Sequence, residues 1–306
     1  MNITQPKRYS ANTMGILLAI LAAIIWSGNF IIARGISSKM PPVSLAFYRW
    51  FFATLFIAPF AWPSFKAEKA IVLQHKAYFF CIALTGFTFY NVFLYVAGHY
   101  TSAINLALIG TTSAPIFAVA IGALFFNEKI SAGKLLGMVI CFLGVLLLLS
   151  KGSWQVLLHF HFSSGDLFAM LGAFSFSIYN NLAKHKPTGI SNINFLFVGF
   201  VLGVCMLVPM FIVEALLTTQ STIWTQSVVG SIAYLSIGCS FGAYLFWNKS
   251  ILLIGPSRTV LFGNLIPIFS TIEAVFLLHE QFMLIQLISG LVVIIGLAIA
   301  NFSRKG

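Results

Sequence analysis

Charge is the scarcest property of this sequence. The chain has 306 residues, of which 6 are acidic and 17 are Lys or Arg, so charged residues make up 8% of it, whereas a soluble domain carries roughly a quarter. Asp166 is the one Asp. The sequence has no H-E-x-x-H, no G-x-S-x-G and no Gly-rich phosphate loop, and their absence removes the zinc peptidase, the serine hydrolase and the ATP-driven pump. The four cysteines, Cys81, Cys141, Cys205 and Cys239, all fall inside apolar runs. That placement argues against a disulfide framework and against a thiolate metal site. No metal and no cofactor are expected.

What is abundant is apolar. Hydrophobic residues make up 59% of the chain, Phe alone contributes 32, and the mean hydropathy is +0.98. Repeated runs reach the about 20 residues that a helix needs to cross a hydrocarbon core. Ten such spans are predicted, at 14–36, 43–62, 77–98, 103–126, 132–150, 164–184, 191–214, 226–249, 256–279 and 282–301. The expected fold class is therefore an all-α integral membrane protein. The connections "PSFKAEKAIVLQHK" and "KGSWQVLLHFHFSSG" are the longest and leave no room for a soluble domain. The first span has no small-residue cleavage site and is read as staying in the membrane rather than as a signal peptide.

The net charge of +11 would suit nucleic acid, but its placement suits a membrane. With the N-terminus inside, 13 of the 17 basic residues fall on the inner side, and this positive-inside bias puts both termini in the cytoplasm of a multi-pass inner (cytoplasmic) membrane protein. The expected partners are the lipid bilayer and a small-molecule substrate, with no nucleic acid.

The sequence also repeats itself. "APIFAVAIGALFFNE" (114–128) returns as "IPIFSTIEAVFLLHE" (266–280), and "WSGNFIIAR" is echoed by "FSIYNNLAK", setting Asn29 against Asn180. Five spans separate the copies, an odd number, so the two run through the membrane in opposite directions. Two inverted halves are expected, 1–152 and 163–306, with a pseudo-two-fold axis in the membrane plane. Two such halves can exchange conformations and open the space between them to one side and then to the other. Pro115 and Pro267 are matching helix breaks in this reading, each releasing the carbonyl four residues earlier, those of Thr111 and Gly263.

"YTSAINLALIGTTSAPIFAVAIGALFFNEKISAGKLLGMVICFLGVLLL" resembles the EamA domain of the drug/metabolite transporter superfamily, and "GPSRTVLFGNLIPIFSTIEAVFLLHEQFMLIQLISGLVVIIGLAIA" resembles a second copy. "LAFYRWFFATL" is similar to the family's Arg-aromatic entry to its second helix. The resemblance covers nearly the whole chain. It implies ten helices with both ends inside, a central cavity, and export or exchange of small metabolites, often amino acids. The other class open to such a chain is a non-transporting scaffold or lipid-handling protein, whose polar residues would merely tie helices together.

Polar and aromatic residues inside the spans are the candidates to line a substrate cavity, because an unneeded polar group in lipid is costly. They are Trp26 and Asn29 in span one; Tyr90, Asn91, Tyr95 and His99 in span three; Asn105 and Thr112 in span four; Tyr179 and Asn180 in span six; Tyr244 and Trp247 in span eight; and Asn264 in span nine. Asn91, Tyr95 and His99 share one helical stripe. Arg49 is read as snorkelling from the outer end of span two. Glu273 lies in mid-span with no basic residue on its own helix and is the candidate for proton coupling. Glu273 and Asn264, nine residues apart, do not face one cavity from a straight helix. His159, His161 and Asp166 gather in one loop, read chiefly as an interfacial hairpin. Small-residue stripes at Gly133, Gly137 and Gly144, and at Gly290, Gly296 and Ala300, allow close helix approach, either between the halves or in a homodimer.

Overall fold

The computed structural model describes residues 8–101, 103–127, 130–150, 152–158, 163–278 and 284–302; within these, the side chains of 8–10, 34, 103–105, 107, 108, 111, 112, 145, 148, 149, 157, 271, 274–278, 286, 301 and 302 are outside the description. Glu128, His159, His161, His279 and Glu280 lie outside the described residues, as do the side chains of Asn105 and Thr112.

Among the described residues every regular element is helical. In lipid this follows from backbone chemistry, since a helix satisfies its own N–H and C=O groups where no water can. Spans one and two are α1 (Arg8–Gly35) and α2 (Pro42–Gln74). Span three is composite: α3 (Lys76–Ile82), a π-helical stretch Ala83–Phe89, and α4 (Tyr90–Tyr100). Spans four and five are α5 (Ala103–Phe126) and α6 (Ala132–Leu149). After the short α7 (Trp154–Leu158), spans six and seven are α8 (Ser164–Lys184) and α9 (Asn192–Leu217). Span eight repeats the composite form with α10 (Gln226–Ala233), a π-helical stretch Tyr234–Gly242 and α11 (Ala243–Ile254). Span nine is α12 (Pro256–Leu261), a 3-10 turn Phe262–Leu265 and α13 (Ile266–Leu278), and span ten is α14 (Leu284–Phe302).

Side-chain size decides which face of each helix turns inward. In α1 the buried row is Ala19, Ala22, Ala23, Trp26, Phe30 and Ala33, while Leu17, Leu21 and Ile24 are exposed on the other side. Small residues let backbones approach inside the bundle, and the bulky aliphatics meet lipid. The same logic joins the two halves at α6 and α14. A Cβ at Gly137 would stand 2.5 Å from the Ala300 nitrogen, and one at Gly296 would stand 2.7 Å from the Cys141 nitrogen. Gly137, Gly144 and Gly296 thus bring spans five and ten to backbone contact within one chain.

Packing is symmetric under exchange of the halves. α2 packs on α9, and α6 on α14. α4 and α5 pack on α8, and their counterparts α11 and α13 pack on α1. Each half therefore offers its first span to the third and fourth spans of the other.

Three local expectations change. The segment after span two is not a loop, because α2 runs on through Pro59 and Pro63 to Gln74. Its last turns carry helix formers such as Ala67, Glu68 and Lys69, and Lys66 Nζ sits 5.5 Å from the Trp62 ring centre. Pro115 does not break its helix, since α5 is continuous from Ala103 to Phe126. Pro267 does follow an interruption, but the Gly263 carbonyl it releases accepts from the Ile266 N–H. Tightening to a 3-10 turn satisfies that carbonyl within the chain.

Candidate substrate cavity

At the centre, the first spans of both halves meet the composite spans. Trp26 of α1 lies 4.8 Å from Trp247, 5.2 Å from Tyr244 and 5.7 Å from Phe176, ring centre to ring centre. Tyr90 stacks on Phe176 at 4.5 Å. Here lies a partly open cavity of about 40 Å³, walled by Trp26, Phe30, Tyr90, Gly110 and Ala114 from the first half and by Ala173, Phe176, Trp247, Val260, Gly263 and Ile266 from the second. A single water needs roughly 10–15 Å³ measured this way. The space holds a few waters and no organic solute.

The π-helical stretches shape this centre. A π turn leaves carbonyls poorly matched to their own helix and recurs at functional sites. Tyr244 OH donates to the Gly86 carbonyl at 2.9 Å, and Ser175 Oγ donates to the Thr85 carbonyl at 2.9 Å. From the other side, Trp26 Nε1 donates to the Cys239 carbonyl at 2.8 Å. Each half therefore supplies donors to the irregular stretch of the other.

Two asparagine hubs flank the cavity. Asn29 Oδ1 accepts from Tyr95 OH at 3.2 Å and from Arg49 Nη1 at 3.2 Å. Asn180 Oδ1 accepts from Trp247 Nε1 at 2.6 Å, and its Nδ2 donates to the Phe176 carbonyl at 2.7 Å. Arg49 is 1% exposed. Its Nε donates to Ser240 Oγ at 2.7 Å and its Nη1 to Tyr95 OH at 2.7 Å, and its Cζ lies 5.0 Å from the Trp50 ring centre.

The burial of Arg49 overturns the snorkelling expectation. Leu45, Ala46, Arg49, Trp50, Ala53 and Ile57 form the buried face of α2, while Phe51, Phe52 and Leu55 face outward. Arg49 lies on the inner row, where Asn29, Tyr95 and Ser240 hold its head. The signal was present in the sequence: small Ala46 and Ala53 mark the inward face, and Arg49 sits one turn from each.

The remaining candidates take varied places. Tyr179 OH donates to Asn248 Oδ1 at 2.7 Å. Asn91 Nδ2 donates to the Phe87 carbonyl at 3.0 Å, and its Oδ1 is enclosed without a partner. His99 lies half-buried in the last turn of α4. Asn264 sits beside Cys141 of α6, its Oδ1 enclosed without a partner. Glu273 faces α1 instead, where Ser27 Oγ donates to its Oε1. Asn264 and Glu273 thus face different neighbours, as the helical phase expects. Asp166 serves local structure: its Oδ2 accepts from the Ser163 N–H at 2.6 Å and its Oδ1 from Thr101 Oγ1 at 2.7 Å.

Two glutamates complete the frame. Let the membrane face where α1 begins be the terminal face. There Glu68 of α2 accepts through Oε2 from Ser191 N at 3.0 Å, Ser191 Oγ at 3.2 Å and Asn194 Nδ2 at 2.6 Å, at the start of α9. On the opposite face Glu214 of α9 accepts from Val43 N at 2.8 Å, Ser44 N at 2.6 Å and Ser44 Oγ at 2.7 Å, at the start of α2. A carboxylate at a helix N-terminus satisfies N–H groups that have no partner inside the helix and meets the positive end of its dipole. α2 and α9 thus clasp each other once on each face.

Known proteins share this architecture. A family model described as "EamA-like transporter family" matches residues 13–150 and 163–302. An "Uncharacterized transporter" of Archaeoglobus fulgidus is 28% identical over 285 residues, covering 92% of this chain and 94% of that protein. A "Probable amino-acid metabolite efflux pump" of Escherichia coli (strain K12) is 23% identical over 298 residues, covering 94% of this chain and 95% of that protein. A chain of solved crystal structure superposes with a TM-score of 0.73 at 19% identity, covering 96% of this chain and 97% of its own, a likeness that concerns the fold.

Proposed function

The chain belongs to the EamA-like transporter family, and on that premise we propose that it exports or exchanges small amphipathic metabolites, amino acids and their relatives, by alternating access between its inverted halves. Members of the family are transporters rather than enzymes, and so is this chain. The observation that carries the finer reading is the aromatic cavity walled by both halves, together with the clasps that Glu68 and Glu214 make between α2 and α9, one on each face. Rings hold an apolar or cationic group, and buried polar atoms fix its orientation. Opening one clasp while the other holds admits solute from one side only. We place the terminal face in the cytoplasm of the inner membrane, following the bias of Lys and Arg.

The test is uptake into proteoliposomes across a panel of amino acids and amines, with and without a pH gradient. Saturable uptake of at least one amino acid is expected, and no uptake of any panel member would leave the scaffold reading standing. Orientation is checked separately with an impermeant thiol reagent on intact cells. Cysteines at Ser153 and Thr219 should label from outside and one at Lys69 should not.

A further inference from the structure

The cavity walls are apolar, yet one full charge is buried beside them, and its hydrogen bonding is incomplete. A guanidinium has five N–H donors in a planar fork. Nε serves Ser240, and Nη1 serves Asn29 and Tyr95. The two N–H groups of Nη2 donate to no described residue. Among the described residues, the enclosed unpaired side-chain atoms are Trp50 Nε1 and the Oδ1 atoms of Asn91, Asn181, Asn192, Asn194 and Asn264. Nη2 is thus left without a protein partner among the described residues, on a side chain that is 1% exposed.

All three partners of Arg49 are neutral oxygens, and a buried cation with no anion is costly. Tyr90 narrows the location. Its ring is a cavity wall, it stands on α4 with Tyr95, to which Arg49 donates, and its hydroxyl has no partner among the described residues. Trp26 and Phe30, also cavity walls, flank Asn29 on α1, and Asn29 holds the guanidinium.

We infer that Arg49 is the anchor for a carboxylate of the transported solute, received on Nη2 with Tyr90 OH as a second donor, while Trp26, Phe176 and Trp247 enclose the apolar remainder. This rests on the transport reading above and names the chemistry its substrate must carry. A planar carboxylate fits the edge of a guanidinium with two oxygens. One buried cation matches one negative charge, and Arg49 is the only buried Lys or Arg among the described residues, so a phosphate dianion would be left half-neutralised.

The test uses the purified full-length chain in detergent and three probes that share a phenyl ring: 3-phenylpropionate, phenylalanine and phenethylamine. Ligand-induced shift of the melting temperature reports binding, and tryptophan fluorescence reports it from the cavity walls. The two carboxylates should bind at least tenfold tighter than phenethylamine. Arg49→Gln should remove that preference, Arg49→Lys should keep part of it because it retains the charge without the fork, and Tyr90→Phe should weaken carboxylate binding several-fold. If Arg49 only ties the helices, both Arg49 variants lower the unliganded melting temperature and the order among the probes does not change, which overturns the proposal. Failure of every carboxylate to bind, or displacement of 3-phenylpropionate by inorganic phosphate at lower concentration, also overturns it. Uptake of the same probes separates the two readings. Transport of phenethylamine alone would refute the anchor and keep the transporter, whereas Arg49-dependent binding without any uptake would do the reverse.

Discussion

The two halves place matching residues around the cavity and fill them with different chemistry. Asn29 and Asn180 each receive a hydrogen bond from an aromatic side chain of a composite span, Tyr95 in one half and Trp247 in the other. Among the described residues, only the first hub holds a cation. Five residues after Ser44 stands Arg49, and five residues after Ser191 stands the buried Leu196. The clasps, by contrast, are nearly identical: a glutamate late in one helix takes the N-terminal N–H and hydroxyl groups of the other. In the proposed transport cycle, movement would rest on what the halves share and recognition on what they do not.

The most severe way to break this comparison is to put a carboxylate on each hub. Asn29→Asp would pair internally with Arg49 and occupy the anchor, so carboxylate uptake should fall by more than tenfold with the melting temperature near that of the parent. Asn180→Asp has no such cation beside it. An unpaired buried charge costs about 3–5 kcal/mol, and this variant should melt several degrees lower. Equal behaviour of the two in uptake and melting would mean that the hubs are equivalent.

A milder variation sharpens the same contrast. Tyr95→Phe removes a hydroxyl bound to a cation, worth about 1.5–3 kcal/mol, and Trp247→Phe removes a neutral hydrogen bond worth about 1 kcal/mol. Uptake should drop roughly tenfold in the first and several-fold in the second. The reverse order would remove Arg49 from recognition.

Glu273→Gln should have the smallest effect. The substitution is nearly isosteric, and Glu273 meets Ser27 rather than the cavity wall. If Glu273 carries a coupled proton, exchange between equilibrated compartments persists and acceleration by a pH gradient is lost. Unchanged pH-driven uptake would assign the residue to packing.

Much of the fold was legible in the sequence, because apolar runs of membrane length separated by short polar turns have few alternatives in lipid. The end of α2 was not, since Pro63 and the charges after it resemble a loop until Glu68 is seen to cap α9. The π-helical stretches left no local signature, for the donors that support them, Tyr244 and Trp26, come from the other half. At the cavity, Trp26, Tyr90 and Trp247 were accessible as aromatics inside apolar spans. Arg49 departs from the expectation that a lone Arg near a span end reaches for water. Glu68 and Glu214 gave no signal at all, as their partners are 123 and 170 residues away.

Alternating access in this chain requires that the two clasps open one at a time. Spin labels at exposed Ala70 and Thr188 would report the terminal face, and labels at exposed Ser38 and Ala215 the opposite face, by dipolar distance measurement in lipid nanodiscs. Glu68→Gln should broaden and lengthen the first distance and leave the second as in the parent, and Glu214→Gln should do the converse. If either variant opened both faces together, or if neither changed any distance, the two halves would not be alternating about this cavity.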